Sequence, residues 1–166
     1  MVYTFIGMPG SGKSCMSRAI SKALNIKALD ADKVIENRMG KKLHEIISEC
    51  GLDGFKKIEE EILLSIDSNN DLLLATGGSA VYYERAMEHF KKIGKVIYLY
   101  IGFDTMLVRL GDYSKRGIAM RPNQTIQDLY NERAALYEKY ADVTINCDGT
   151  DYNKYRKDVI NAIKNI

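Results

Sequence analysis

The stretch GMPGSGKS, residues 7–14, follows directly on the apolar run VYTFI, and it limits the possible folds more than any other feature of the chain. It fits the pattern G-x-x-x-x-G-K-[ST] without a mismatch, between a run typical of a buried strand and a helix that opens at Lys13. Glycines let consecutive backbone N–H groups turn inward around a polyphosphate, and a helix N-terminus adds positive charge there. We therefore predict a nucleotide-binding loop in which Lys13 reaches the β- and γ-phosphates and the Ser14 hydroxyl ligates Mg²⁺. The alternative is a glycine-rich turn that binds nothing.

Strand and helix patterns alternate along the rest of the chain. Apolar runs rich in β-branched and aromatic residues predict five strands, at 2–6, 26–29, 72–75, 96–101 and 143–145. Helical periodicity predicts helices at 13–24, 33–50 with a break near Gly40, 55–68, 80–90, 105–110, 126–140 and 152–163. Because the strands are almost continuously apolar, they are expected to be buried on both faces. We predict an α/β fold of three layers, with a five-stranded parallel sheet between helices.

Length, charge and cysteine content exclude several classes of function. A chain of 166 residues is predicted to form one domain, 1–166, with one active site. The net charge of +2 comes from mixed acidic and basic residues without a clustered basic face, so no nucleic-acid partner is expected. The cysteines, Cys15, Cys50 and Cys147, lack disulfide or zinc spacing and predict reduced thiols in a cytoplasm. No apolar segment has the length of an export signal or a membrane anchor.

Two aspartates follow the second predicted strand. Asp30 and Asp32 lie two residues apart, where a parallel sheet presents side chains to its ligand crevice. One carboxylate can serve the Mg²⁺ shell, and the other can accept a proton from a substrate hydroxyl. The alternative is that Asp32 only caps a helix that starts at Lys33.

The other candidate ligands are a glycine pair and an arginine. Gly77 and Gly78 end the third predicted strand and open a helix, so a ligand can approach their backbone N–H groups closely. An ordinary turn is the alternative. Arg133 lies on an amphipathic helical pattern and can pair bidentately with a carboxylate. The alternative is a solvated surface charge, which is slightly weakened because no acid lies three or four residues away.

The polar and basic segment 111–125, punctuated by glycine and proline, is the longest stretch without a clear period. Such a loop in a compact domain is typical of a lid over an active site. Arg109 and Arg116 flank its start; one of them is a candidate to contact adenine or phosphate, and a solvated charge is the alternative. Cys15 follows the phosphate-binding loop at a helix N-terminus, and we predict a small buried core residue there rather than a redox-active thiol.

Together these stretches resemble the shikimate kinase family, in order and over nearly the whole chain. The matching motifs are GMPGSGKS, the D-x-D of LDADKVIE, FKKIEEEIL, ATGGSA, the Arg-Pro of MRPNQ, and ERAALYEKYADVTI. The resemblance implies an ATP-dependent, Mg²⁺-requiring phosphorylation of the 3-hydroxyl of shikimate, on the five-stranded fold of the nucleoside monophosphate kinases. It also implies a monomer whose substrate-binding region spans about 31–60.

The resemblance implies a role for each matching residue. Asp32 looks like the residue that holds the substrate hydroxyls and acts as base, and Asp30 like an outer-shell metal ligand beside Ser14. Arg121 looks like the lid arginine that reaches the transferring phosphate, and Arg133 like a carboxylate-binding arginine. The implied ATP-binding residues are Gly10, Ser11, Gly12, Lys13, Ser14, Cys15 and Arg121. The implied substrate-binding residues are Asp32, Lys56, Gly77, Gly78 and Arg133, and the implied catalytic residues are Lys13, Asp32 and Arg121.

The chain departs from the family pattern at three positions, and its lid also looks longer. Lys56 stands where the family has a second carboxylate-binding arginine, and a lysine cannot form the planar bidentate fork. Ser79 replaces the third glycine of a triplet, and Asn123 replaces the leucine of an Arg-Pro-Leu motif. These departures leave two rivals: a related kinase for another small hydroxylated acid or polyol, and a nucleotide-binding module without catalysis. A nucleoside monophosphate kinase is disfavoured, because Arg38 is the only arginine between Asp32 and Lys57.

Overall fold

A five-stranded parallel sheet forms the centre of the computed structural model, which describes residues 1–112 and 118–166. Its strands are β1 (Val2–Ile6), β2 (Lys27–Asp30), β3 (Leu72–Ala75), β4 (Gly94–Tyr100) and β5 (Val143–Asn146). They lie in the order β2-β3-β1-β4-β5, and every neighbouring pair is parallel. The predicted α/β fold with a five-stranded parallel sheet is confirmed.

The helices of the described residues connect these strands and pack against the sheet. They are α1 (Lys13–Leu24), α2 (Ala31–Met39), α3 (Leu43–Leu64), α4 (Glu84–Ile93), α5 (Phe103–Leu110), α6 (Ile126–Tyr140) and α7 (Tyr152–Asn165), with a 3₁₀ turn at Ala80–Tyr82. In this part of the chain, no helix combines the length and the apolar character needed to cross a membrane.

The predicted helix boundaries agree with the structure only in part: α2 begins at Ala31 rather than at Lys33, and α3 ends at Leu64 rather than at 68. The break near Gly40 is confirmed, and a second interruption lies within the gap that was predicted between 50 and 55. Gly51 adopts a φ of +71° and a ψ of 176°, which a glycine tolerates without a steric penalty, so the backbone leaves helical geometry there and α3 is kinked. The helix predicted at 80–90 is divided in two, because the backbone of Tyr83 leaves helical geometry between the 3₁₀ turn and α4.

The main core lies on both sides of β1, whose five residues are all buried. A separate small apolar cluster of Ile35, Ile46, Phe55 and Ile62 joins α2 to α3. These two helices therefore pack on each other as a unit beside the carboxyl ends of β2 and β3. The predicted substrate-binding region, 31–60, corresponds to this unit.

The order of the strands places the segments that follow β1, β2 and β3 side by side, at the carboxyl end of the sheet. The chain builds β2 and β3 on one side of β1 and β4 and β5 on the other, so the ligand crevice is expected at the carboxyl end of β1. The turn after β3 is tied to β1 there, because the backbone N–H and the hydroxyl of Thr76 both donate to the carbonyl of Phe5, at 3.2 and 2.9 Å.

We expect Gly94→Ala to lower the free energy of unfolding by about 2–3 kcal/mol. Gly94 opens β4 opposite Val2 of β1, and a Cβ atom at this position would overlap the carbonyl oxygen of Val2. The two strands would have to move apart at the centre of the sheet. Urea denaturation followed by circular dichroism measures the change. Lys95→Ala, one residue further along β4, is the control and should stay within about 0.5 kcal/mol; equal midpoints for the two variants would contradict the close approach.

Candidate active site

The phosphate-binding loop lies between β1 and α1, as predicted. Gly10 and Gly12 have φ angles of +84° and +91°, a region that glycine occupies readily and other residues rarely. A Cβ atom at Gly7 would lie 2.6 Å from the carbonyl oxygen of Leu99, so the start of the loop also requires glycine. Helix α1 begins at Lys13, and its positive N-terminal end faces the space enclosed by the loop.

A cavity of about 560 Å³ extends from this loop across the edge of the sheet. Its walls come from the loop after β1, the first turn of α2, the middle of α3, the turn after β3, and α6. The residues with functional groups or close backbone contacts are Gly10, Gly12, Lys13, Ser14, Asp32, Glu59, Gly77, Gly78, Arg109 and Arg133. A volume of this size is typical of a site for small-molecule ligands.

Lys13 is buried in the wall of the cavity, and only 8% of it is exposed. Its Nζ donates to the carbonyl oxygens of Gly7 and Met8, at 2.7 and 2.9 Å. Burial lowers the pKa of Lys13 to about 8, and the nearby charge of Asp32 partly opposes that shift. The ammonium group is thus held at the phosphate-binding loop by neutral carbonyls and remains available to an anionic ligand.

The two aspartates after β2 have different environments. Asp30 is the N-cap of α2: its carboxylate accepts from the backbone N–H of Lys33 at 3.4 Å, and the helix begins at Ala31. The alternative in which Asp32 caps a helix starting at Lys33 is therefore wrong. Asp32 lines the cavity instead, where burial, followed by the charge of Glu59, raises its pKa to about 6. At neutral pH it is mostly ionised and able to accept a proton.

Ser14 and Asp30 share the wall of a smaller cavity of about 290 Å³. A hydroxyl and a carboxylate are both oxygen ligands of the kind that Mg²⁺ prefers, and Mg²⁺ in kinases also keeps waters and binds substrate phosphates. The described residues contain no group of three or more acidic, histidine or cysteine side chains that would form a protein-only metal site. These residues fit a cation that is bound jointly with a nucleotide.

The turn after β3 has no room for side chains at its two glycines. A Cβ atom at Gly77 would lie 2.8 Å from an oxygen of Asp32 and 2.9 Å from an oxygen of Glu59. A Cβ atom at Gly78 would lie 2.8 Å from a guanidinium nitrogen of Arg133. The backbone N–H groups of residues 77–79 donate to no acceptor within the described part of the chain. They are available to a ligand in the cavity.

Arg133 is a buried cation. Its exposed fraction is 1%, and Nη2 donates to the carbonyl of Ala119 at 2.8 Å while the guanidinium lies over the ring of Tyr82. Among residues 1–112 and 118–166 it forms no ion pair, and its Nε has no hydrogen-bond partner. A buried charge without a counterion is costly, which favours an anionic ligand at this end of the cavity. The alternative of a solvated surface charge is wrong.

Lys56 and Arg121 lie in a neighbouring cavity of about 430 Å³, which shares Ser79 and Ala119 with the first. Arg121 is largely exposed and pairs with Glu132 of α6 at 2.6 Å. The structure therefore does not bring these two predicted ligands together with Lys13 and Asp32. Their roles in binding stay predictions. Most of the start of the predicted lid, including Arg116, lies outside the described residues.

Two further residues near the loop differ from expectation or remain open. Cys15 is exposed, and its Sγ lies 3.5 Å from the hydroxyl of Tyr152 on α7, so the prediction of a buried core residue is wrong. The buried face of α1 passes through Met16 and Ile20 and turns Cys15 outward. Arg109 donates to the carbonyls of Cys147 and Gly149, which fixes it beside the loop, and a contact with nucleotide stays a prediction.

Glu59 is the functional residue that the sequence analysis did not single out. It is buried, it lines the cavity, and it lies on the apolar side of α3 between Phe55 and Ile62. The sequence signal for this residue was a glutamate at helical spacing within an apolar stripe. Acidic residues are almost never fully buried without a partner, so a glutamate on the buried face of a helix indicates a specific contact. A loop with the phosphate-binding pattern, a buried lysine, an aspartate and a buried arginine line one cavity, and this set is typical of a P-loop phosphotransferase for a small molecule.

Comparison with known sequences supports a specific family. The family model described as shikimate kinase matches residues 9–164. A shikimate kinase from Sulfurihydrogenibium is 30% identical over 159 residues, covering 96% of this chain and 95% of the relative. One from Haemophilus influenzae is 32% identical over 164 residues, covering 97% and 91%. The chain belongs to the shikimate kinase family, whose members are ATP-dependent phosphotransferases.

Solved structures agree with this assignment. A shikimate kinase from Acinetobacter baumannii, described as being in complex with shikimate, is 28% identical, with a TM-score of 0.89 over 99% of this chain and 93% of the other. The enzyme from Aquifex aeolicus is also 28% identical, with a TM-score of 0.84 over 99% and 96%. The order of strands and helices is thus that of the family.

We expect the affinity for ATP to weaken about tenfold between about pH 7 and pH 9. Lys13 carries its charge below its pKa of about 8, and phosphate oxygens around it stabilise the charged form and raise that pKa in the complex. Above pH 8 the free protein must take up a proton to bind ATP, so binding weakens as the pH rises. Isothermal titration calorimetry over this range measures the effect.

Lys13→Met is the control for this measurement, because it removes the ionisable group. Its ATP affinity should be weaker than that of the wild type at pH 7 and should change little up to pH 9. A wild-type dissociation constant that is constant over the same range would show that Lys13 does not lose its proton there.

Proposed function

We propose that this protein transfers the γ-phosphoryl group of ATP to the 3-hydroxyl of shikimate. The observation that carries the proposal is the buried guanidinium of Arg133, which forms no ion pair with any described residue and lines the same cavity as the phosphate-binding loop. An acceptor with a carboxylate at one end and a hydroxyl at the other fits between Arg133 and Asp32. Membership of the shikimate kinase family supports the same acceptor, as does the relative that is described as being in complex with shikimate.

The turn after β3 and Arg133 position the acceptor. Arg133 binds the carboxylate with two parallel N–H donors, which fixes both the distance and the orientation of the ring. The free N–H groups of Gly77 and Gly78 donate to ligand oxygens, and the absence of side chains lets the ring approach the backbone. The hydroxyl to be phosphorylated then lies beside the carboxylate of Asp32.

The transfer itself needs little covalent chemistry from the protein. Asp32 orients the hydroxyl and accepts its proton as the oxygen bonds to the γ-phosphorus, while the bond between that phosphorus and the bridging oxygen of ADP breaks. Lys13 leaves its carbonyl partners and stabilises the negative charge on the phosphate oxygens. Holding both reactants in line supplies most of the remaining acceleration.

We assign Mg²⁺ to the hydroxyl of Ser14 and, through water, to the carboxylate of Asp30, which line one cavity beside the phosphate-binding loop. When bound, the cation neutralises charge on the β- and γ-phosphates. The N-capping bond to Lys33 holds the carboxylate of Asp30 in place. Gly10, Ser11, Gly12 and Cys15 complete the proposed nucleotide site.

Closure of the segment 111–125 is part of the proposal. Arg121 would exchange its exposed pair with Glu132 for the transferring phosphate, and Lys56 would approach the acceptor from the neighbouring cavity. Closure also excludes water, which would otherwise compete with the acceptor hydroxyl.

We also propose that the chain acts as one kinase domain and as a monomer in the cytoplasm. All proposed ligands of both substrates come from one chain. Most of them line one cavity, and Lys56 and Arg121 line the neighbouring one, which supports a complete active site in each copy. The free thiols of Cys15, Cys50 and Cys147 fit a reducing compartment.

The test of the proposed function is a coupled assay of ADP release at saturating MgATP, with and without millimolar shikimate. We expect strong stimulation by shikimate and none by unrelated polyols or hydroxy acids. Asp32→Asn should lower the turnover number by at least about a hundredfold, because the base is lost, while the dissociation constant for MgATP stays within about twofold.

Four results would contradict the proposal in different ways. Binding of MgATP without shikimate-dependent turnover would remove shikimate as the acceptor. Equal stimulation by an unrelated polyol would favour a related kinase with another substrate. Unchanged turnover in Asp32→Asn would remove Asp32 from the mechanism, and no turnover with any acceptor would favour a nucleotide-binding module.

Arg133→Lys should raise the KM for shikimate about tenfold to a hundredfold. Lysine keeps the charge but cannot donate two parallel hydrogen bonds to a carboxylate. The KM for ATP should change much less, because the nucleotide binds at the other end of the cavity. Steady-state kinetics measure both constants, and Arg85→Lys, an exposed arginine on α4, is the matched control. An equal rise of both KM values in Arg133→Lys would indicate a general loss of structure.

A further inference from the structure

The carboxylate of Glu59 is held by two hydroxyl groups. Glu59 lies on α3 with an exposed fraction of 1%. The hydroxyl of Ser79 donates to both of its oxygens, at 2.9 and 2.7 Å, and the hydroxyl of Tyr83 donates to one of them at 2.6 Å. We call these three side chains the hydroxyl clamp. Charged acceptors make stronger hydrogen bonds than neutral ones, so the clamp fixes the rotamer of Glu59.

No cation takes part in this arrangement within the described residues. Lys56 lies one helical turn before Glu59, at a spacing that allows an ion pair, but its side chain lines the neighbouring cavity. Arg133 acts on Glu59 only through its field and forms no ion pair with it. Burial raises the pKa of the Glu59 carboxyl, and the two hydroxyl donors oppose that shift. The two hydroxyl groups therefore stabilise the buried carboxylate of Glu59, as a paired cation does at other buried carboxylates.

The clamp acts on the turn that the acceptor contacts. Ser79 precedes the 3₁₀ turn Ala80–Tyr82, yet its side chain makes no capping bond and reaches across to α3 instead. The other side of Glu59 lies against Gly77, where one of its oxygens would be 2.9 Å from an added Cβ atom. Glu59 thus contacts both ends of the segment 77–79, which lines the cavity.

The geometry points to Ser79 and Tyr83 as positioning residues for the acceptor, which act by holding Glu59 against the turn 77–79. This inference rests on the proposed function, and it explains how the turn is fixed while Lys56 lies outside the cavity. Of the three clamp residues, only Ser79 lines both cavities, so a substitution of Ser79 directly alters the acceptor end of the site. The nucleotide end shares no clamp residue, and ATP binding should not depend on the clamp.

The test uses Ser79→Ala, Tyr83→Phe and the double variant, which remove one or both hydroxyls and little volume. We expect the KM for shikimate to rise about threefold in each single variant and by more than about tenfold in the double variant. The turnover number should fall less than the KM rises, and the dissociation constant for MgATP should stay within about twofold. Steady-state kinetics and calorimetry supply these values.

Two matched variants separate positioning from general stability. Ser79→Thr keeps the hydroxyl and should retain the KM of the wild type, clearly below that of Ser79→Ala. Tyr130→Phe removes a hydroxyl that donates to the carbonyl of Ile101, away from the acceptor, and should leave the KM unchanged. A double variant with an unchanged KM for shikimate would overturn the inference, and so would an equal rise in Tyr130→Phe.

Wild-type turnover with shikimate is measured first, and this measurement tests the proposed function independently of the clamp. If shikimate gives no turnover, that function fails, and the clamp is judged by unfolding in urea. Tyr83→Phe should then lower the unfolding midpoint clearly in the wild type and less in a Glu59→Gln background, because a neutral amide accepts a weaker hydrogen bond. The same shift in both backgrounds would overturn the clamp.

Discussion

The parallel pairing of β1 between β3 and β4 is the constraint on which the whole site depends. It places the phosphate-binding loop and the turn after β3 next to each other at the carboxyl end of the sheet, although they are about 70 residues apart in the sequence. Thr76 makes the connection rigid, because two of its groups donate to the carbonyl of Phe5. Since neighbouring strands of a sheet lie about 4.8 Å apart, the nucleotide and acceptor ends of the cavity are brought to within reach of one phosphoryl transfer.

The charges around the cavity are arranged for two anionic ligands. Lys13 and Arg133 are buried cations at different ends, and Asp32 and Glu59 are carboxylates on either side of Gly77. Each cation lacks an ion pair among the described residues and is held by carbonyl groups instead. In a site of low dielectric constant, unpaired charges favour complementary ligands strongly and reject others. This arrangement supports the proposal of a polyphosphate at one end and a carboxylate at the other.

The departures from the family pattern are linked in the structure. Lys56 lines the neighbouring cavity, and Ser79, which differs from the glycine expected from the family pattern, donates its hydroxyl to Glu59. Both changes surround the same carboxylate, Glu59. A buried carboxylate needs donors, but it does not need a particular donor, so the loss of one kind of partner can be offset by another. In the proposed acceptor site, hydroxyl groups rather than a second arginine hold this carboxylate.

The sequence by itself determined the sheet and the position of the glycine-rich loop between β1 and α1. The bounds of β1, β3, α1 and α6 agree with the prediction, because hydrophobic periodicity, glycines and caps are local signals. The orientation of single side chains was decided by the tertiary structure. Cys15 points outward, Glu59 is buried, Arg133 is enclosed, and Arg121 and Lys56 lie in a second cavity. The physical reason is that the partners on the opposite elements, which a local pattern does not contain, decide which polar groups can be buried and satisfied.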